Sequence, residues 1–193
     1  GSNNIATGSQ SLFTNTSGSN NVVAGTQAMY YNTDGSNNTA IGHAALFTNG
    51  SGINNSALGF QSLYKNTDGS NNVAIGTQSM FENTIGTQNT AIGGASLFSN
   101  QSGNRNTATG FYALYGNTTG YSNIATGQGA MFFNTTGYRN IGVGLNALYY
   151  NSIGNANVAI GYNTLAGISG KSVSNNVAIG YNALNVNEGN SNV

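Results

Sequence analysis

Cysteine, proline and tryptophan are absent from this 193-residue chain, and charge nearly so: four Lys or Arg and four Asp or Glu give a net charge of zero, with one His. Without cysteine there is neither a disulfide framework nor a thiolate metal site. Charged residues make up 4%, against roughly 25% in an ordinary soluble domain. That scarcity excludes the broad basic surface that nucleic acid or an anionic membrane requires. Four carboxylates and one imidazole, scattered along the chain, do not converge into catalytic machinery. No run approaches eighteen consecutive apolar residues, and no charged segment precedes an apolar core, so neither a spanning helix nor a signal peptide is read.

What is present is one phrase, repeated. "GSNNVAIGTQSMFENT" at 69–84 has relatives starting at Gly1, Gly18, Gly35, Gly52, Gly86, Gly103, Gly120, Gly137 and Gly154, a period of 17 residues without a slip. The tenth unit carries two additional residues in "AGISGKSVS", the eleventh resumes at Val173 one residue short, and a twelfth begins at Gly189. A fixed period of this length reads as a solenoid, and the unfinished unit reads as a piece of a longer array.

Position 4 of the unit is always Asn: Asn4, Asn21, Asn38, Asn55, Asn72, Asn89, Asn106, Asn123, Asn140, Asn157 and Asn176. Position 8 is always Gly, and position 6 is Ala except at Val23 and Gly142. Positions 4 to 8 therefore alternate as a strand does, with a small set (4, 6, 8) on one face and a larger apolar or Thr-containing set (5, 7) on the other. The small face suits a thin coil interior. The larger face, which includes Val73, Ile75, Ile141, Val143, Val158, Ile160, Val177 and Ile179, needs cover from outside the coil, for which an identical chain is the simplest candidate. The Asn side chains are expected to form ladders, each donating to the next coil and accepting from the previous one, with Asn15 and its equivalents second to the Asn4 row.

Position 12 is always Leu or Met, and position 13 is aromatic in the first nine units. Positions 9 to 13 contain no Val or Ile, and this composition predicts a short helical turn rather than a second strand. Asn at position 15 and Gly at position 1 are expected to supply left-handed conformations that close the circuit. Charges fall at positions 3, 14, 16 and 17 (Arg105, Arg139, Lys65, Glu82, Glu188, Asp34, Asp68), which must touch water. The fold class expected is mainly β: a parallel β-solenoid of eleven coils over 1–193, a rod roughly 50 Å long at about 4.8 Å per coil.

"NNVAIG" at 71–76 and 175–180 resembles the head repeats of trimeric autotransporter adhesins of the YadA-like type, and related units of viral and bacterial fibres. The resemblance runs through positions 4 to 8 of all eleven units. It departs in the spacer, where that family uses a shorter unit without the Leu-aromatic pair. It implies a left-handed β-roll and three chains side by side.

Local motifs have bland readings. "GISGKS" at 167–172 lacks the first Gly of a phosphate loop, because that position is Leu165. "GVGLNA" at 142–147 has no acidic residue at the distance a dinucleotide site needs. His43 occupies a variable position and reads as a solvated imidazole. The position 13 aromatics could bind sugars, but a stacked structural file is preferred. Asn-x-Ser/Thr sequons at Asn15, Asn49, Asn100, Asn117 and Asn134 all fall at position 15 and follow from the repeat. No catalytic, cofactor or metal residue is expected. The expected function is structural or adhesive: a segment of an extracellular fibre on a cell surface, virion or tail, self-associating as a homotrimer, with a receptor or glycan as a further candidate partner and without nucleic-acid or membrane contact. The alternative is a monomeric solenoid that binds a repeating surface such as ice or polysaccharide.

Overall fold

In the computed structural model the described residues, 1–186 and 189–192, form a parallel β-solenoid without a helix. Glu188, read above as a surface charge, lies outside them. The strands are β1 Ile5–Thr7, β2 Val22–Ala24, β3 Thr39–Ile41, β4 Ser56–Leu58, β5 Val73–Ile75, β6 Thr90–Ile92, β7 Thr107–Thr109, β8 Ile124–Thr126, β9 Ile141–Val143, β10 Val158–Ile160 and β11 Val177–Ile179. They stack in sequence order as one sheet. Each residue pairs with its equivalent one unit away, as in Val73↔Thr90 and Ile75↔Ile92. Between β10 and β11 the same register holds, Val158↔Val177, so the two additional residues of unit ten are accommodated in the irregular stretch 167–172 and not in the sheet.

Each strand ends at the position 8 glycine, whose φ lies between 124° and 144° in all eleven units. That region is essentially closed to residues with a Cβ, which explains why the position never varies. The chain then turns into the second limb.

The second limb is not the helical turn that its composition predicts. Positions 10 and 12 are both left-handed, for example Gln78 at φ 55° and Met80 at 51°, while position 11 between them is not. The physical reason lies in where the hydrogen bonds must go. A helix of five residues is too short to sustain itself and would close its bonds internally. Here Gln78 N–H donates to Phe60 C=O in the preceding coil (2.8 Å), and Met80 N–H donates to Ser96 C=O in the following one (2.9 Å). Each left-handed non-Gly residue costs about 1–2 kcal/mol, and burial of the Leu/Met row offsets that cost.

The core is one narrow file. Ala40, Ala57, Ala74 and their position 6 equivalents meet the position 12 row (Met29, Leu46, Leu63, Met80, Leu97, Leu114, Met131, Leu148, Leu165) and the small residues of position 11, all fully or nearly fully buried between the first and last coils. Position 6 is small because it faces that row: a Cβ at Gly142 would lie 3.0 Å from Cγ of Met131. Leu63→Ala is expected to cost about 2–5 kcal/mol, the range for a fully buried leucine. In a one-dimensional stack the damage stays local, so limited proteolysis should cut first around coil four. Uniform resistance along the rod would contradict a Leu/Met core.

Candidate functional site

The buried polar groups of the solenoid are organised by two asparagine ladders. In the first, Asn89 donates its backbone N–H to Oδ1 of Asn72 at 3.0 Å and its Nδ2 to the same atom at 3.2 Å. The same pattern of N–H to Oδ1 runs from Asn21 on Asn4 to Asn192 on Asn176. The amide also donates to the position 1 carbonyl ahead of it, as Asn72 does to Gly86 at 2.8 Å. Donation to the next coil is as the sequence predicts, although to its position 1 carbonyl; the acceptor side differs, because Oδ1 accepts from the following coil and not the preceding one.

The second ladder is built from position 15. Asn32 Nδ2 donates to Asn15 Oδ1, and the contact recurs through Asn49, Asn66, Asn83, Asn100, Asn117 and Asn134 at 2.6–2.9 Å. Both ladders converge on the position 1 carbonyl. Gly69 C=O accepts Nδ2 of Asn55 at 2.8 Å and Nδ2 of Asn66 at 2.9 Å, which uses both of its lone pairs.

That convergence, and not a left-handed turn, is why position 1 is glycine. A Cβ at Gly69 would lie 2.3 Å from Asn66 Oδ1, 2.6 Å from Asn83 Nδ2 and 2.6 Å from Gly86 C=O. Neither Asn15 nor the position 1 glycines have positive φ, so the closing role assigned to them falls instead to positions 3, 8, 10 and 12. One unit tests the account internally. Where position 15 is Ile168 instead of Asn, the next position 1 is Val173 instead of Gly, and its carbonyl accepts from Asn157 Nδ2 alone, at 2.7 Å. The second ladder ends one coil earlier. Asn151 Oδ1 instead accepts from Val173 N–H at 2.8 Å, leaving Asn134 Oδ1 and Asn151 Nδ2 buried without a protein partner.

The other faces meet solvent in this chain. The strands present positions 5 and 7 outward: Ile75 is 36% exposed, Ile92 39% and Ile160 39%, with Val73, Ile141, Val143 and Val158 half-buried and Val177 and Ile179 exposed. All twenty-two of these positions are Val, Ile, Leu, Ala, Thr or Ser, so the stripe runs the length of the described array without a charge.

The position 13 rings form an unbroken file, Phe13, Tyr30, Phe47, Tyr64, Phe81, Phe98, Tyr115, Phe132 and Tyr149, with centroids 4.9–5.4 Å apart. The rings are half-buried apart from Phe13, which is exposed in the first coil. His43 is exposed and stacks on Phe60 at 5.4 Å. Asp34 and Asp68 accept from Ser17 and Ser51 of the preceding coils at 2.5 and 2.6 Å. Among the described residues no three His, Cys, Asp or Glu are grouped to hold a metal ion. The sequon asparagines Asn49, Asn100, Asn117 and Asn134 are fully buried rungs, closed to a glycan in the folded chain.

Sequence reasoning missed the left-handed positions 3, 10 and 12. It also missed the convergence on the position 1 carbonyl, for which the joint loss of Asn at 168 and Gly at 173 was the available signal. No family model matches the chain, and no curated protein or solved structure is significantly similar to it.

Proposed function

We propose that this chain is a structural segment of an extracellular fibre, whose coils stack into a rod and whose rods associate through the outer strand face. The observation that carries this reading is the uncharged stripe of positions 5 and 7. Its aliphatic side chains, interrupted only by Ser and Thr, cover a longer face than soluble monomers usually leave open. A second copy of the chain is the partner that matches it best, because it offers the same rung spacing over the same number of coils and needs no charge pair. Three copies around a common axis are what the resemblance to trimeric adhesin heads implies.

The stability of such a rod comes from repetition. Hydrogen bonds between coils, the Asn4 ladder and a Leu/Met file recur from unit to unit, so a longer array gains strength in proportion to its length. A cell-surface or virion fibre uses that property to project and to space. The test is to replace Val73 and Ile75 with Asp and Lys, together with Ser56, Leu58, Thr90 and Ile92 in the two adjoining units. Light scattering should then report a lower mass than for the unaltered chain, while circular dichroism is retained, because the substituted side chains lie outside the coil interior. An unchanged mass would remove this face from assembly. A well-folded monomer both before and after substitution would favour a solenoid that binds a repeating surface directly.

A further inference from the structure

Positions 2 and 3 of units six to nine break the repeat in one chemical direction. Units one to five read Ser-Asn there, with Ile53-Asn54 the single variation. The next four read Thr87-Gln88, Asn104-Arg105, Tyr121-Ser122 and Tyr138-Arg139. Residues 86–153 hold both arginines of the chain and no Lys, Asp, Glu or His, so two positive charges stand uncompensated within a chain of net charge zero.

The fold itself does not select these arginines. Position 3 is left-handed throughout, with φ 58° at Asn3 and 56° at both Arg105 and Arg139. Asn tolerates that conformation best among residues with a Cβ, and an arginine gains nothing locally from it.

Their surroundings form a site. A cavity of about 240 Å³ is lined by Thr87, Gln88, Asn104, Arg105 and Tyr121. Arg105 Nε donates to the neutral Gln88 Oε1 at 3.1 Å, and its fork of Nη donors has no acidic partner in this stretch. Asn104 Oδ1 accepts both N–H and O–H of Thr87, at 2.7 and 2.9 Å, which fixes the amide and turns its NH₂ group away from that contact. Tyr121, 40% exposed, stacks on Tyr138 at 4.8 Å with ring planes 2° apart. Arg139 lies over the Tyr138 ring, 5.8 Å from its centroid. The two arginines are two coils apart, about 10 Å at the spacing of stacked strands.

We propose that this surface binds an acidic polysaccharide, with a sugar ring against the tyrosine pair, one carboxylate or sulfate on the Arg105 fork and a second acidic group reaching Arg139. Guanidinium groups recognise such anions through paired N–H donors, while amide and hydroxyl groups orient sugar hydroxyls. A single-stranded nucleic acid also stacks on aromatics, but its affinity depends on neutralising a continuous run of phosphates, and two arginines do not supply that. The site is built from positions 2 and 3, and not from positions 5 and 7 of the outer strand face.

Calorimetric titration of the full chain with oligogalacturonate and with a heparin-derived oligosaccharide distinguishes carboxylate from sulfate as the preferred group. A neutral malto-oligosaccharide and an oligothymidylate of equal length serve as comparisons. Binding of at least one acidic sugar, weakened by salt, is expected. The paired substitution R105N and R139N restores the residue of units one to five, and should lower that affinity by about tenfold or more, since each strong charge-assisted contact is worth about that factor, with thermal melting unchanged. Y121S with Y138S should weaken binding as well. The proposal is overturned if neither acidic sugar binds, if the neutral sugar binds equally, if the oligothymidylate is preferred, or if the arginine variant binds like the unaltered chain.

Discussion

Gly76→Val is expected to destabilise the array more than any truncation of its core. The residue has φ 128°, where a β-branched side chain is strained by about 1–3 kcal/mol before any contact is considered. Its Cβ would then lie 2.7 Å from both the carbonyl carbon and oxygen of Gly93, and 3.1 Å from the backbone nitrogen of Gly94. These are backbone atoms of the next coil, held by hydrogen bonds, so no rotamer relieves the overlap. Relief requires separating coil five from coil six. Glu82→Ala in the same unit is the comparison: it removes one exposed ion pair with Lys65 at 2.8 Å, worth about 1 kcal/mol or less. Thermal melting of the two variants reads the difference, and equal shifts would remove position 8 from the close approach between coils.

The second large effect is expected for Asn72→Asp. Asn72 is fully buried; its Oδ1 accepts from Asn89, and its Nδ2 donates to Gly86 C=O at 2.8 Å. The substitution exchanges that donor for an oxygen facing a carbonyl, and at neutral pH it buries an unpaired charge, a change that costs about 3–5 kcal/mol where buried pairs have been broken. Burial favours the protonated form, so the new carboxyl has a folded-state pKa above its unfolded value of about 3.9. The sign follows from linkage. The penalty is smallest below about pH 3.9, where the acid is protonated in both states and can donate O–H to Gly86. It grows as pH rises from there through the elevated folded pKa. Denaturant unfolding between pH 3 and 7, compared with the parent chain, should show the gap widening with pH; a gap independent of pH would contradict the buried rung.

The two results test features that differ in how openly the residues announce them. The period, the strand at positions 4 to 8, its small inner face, the Leu/Met core and the Asn4 ladder follow from which side chains each position admits, because volume and polarity act directly on burial. Backbone conformation in the second limb does not. Leu63 and Met80 occupy position 12 for their bulk, and their helix propensity, worth less than about 1 kcal/mol, is overridden by hydrogen bonds that must run between coils. Gly69 illustrates the same limit: a recurrent glycine is compatible with a left-handed turn or with a crowded contact, and only the Asn55 and Asn66 amides at its carbonyl decide between them. Arg105 and Arg139 read in the sequence only as solvated charges; the left-handed backbone and the cavity beside Arg105 and Tyr121 belong to the folded chain.

The central claim, that rods of this chain associate through the outer strand face, is tested most directly by the mass of the unaltered 19.7 kDa chain in solution, measured by sedimentation or light scattering over a wide concentration range. The account predicts a discrete, well-folded oligomer, three times the chain mass if the resemblance to trimeric heads holds. A folded monomer that persists at high concentration, with the apolar stripe of Ile75, Ile92 and Ile160 open to water, would contradict it.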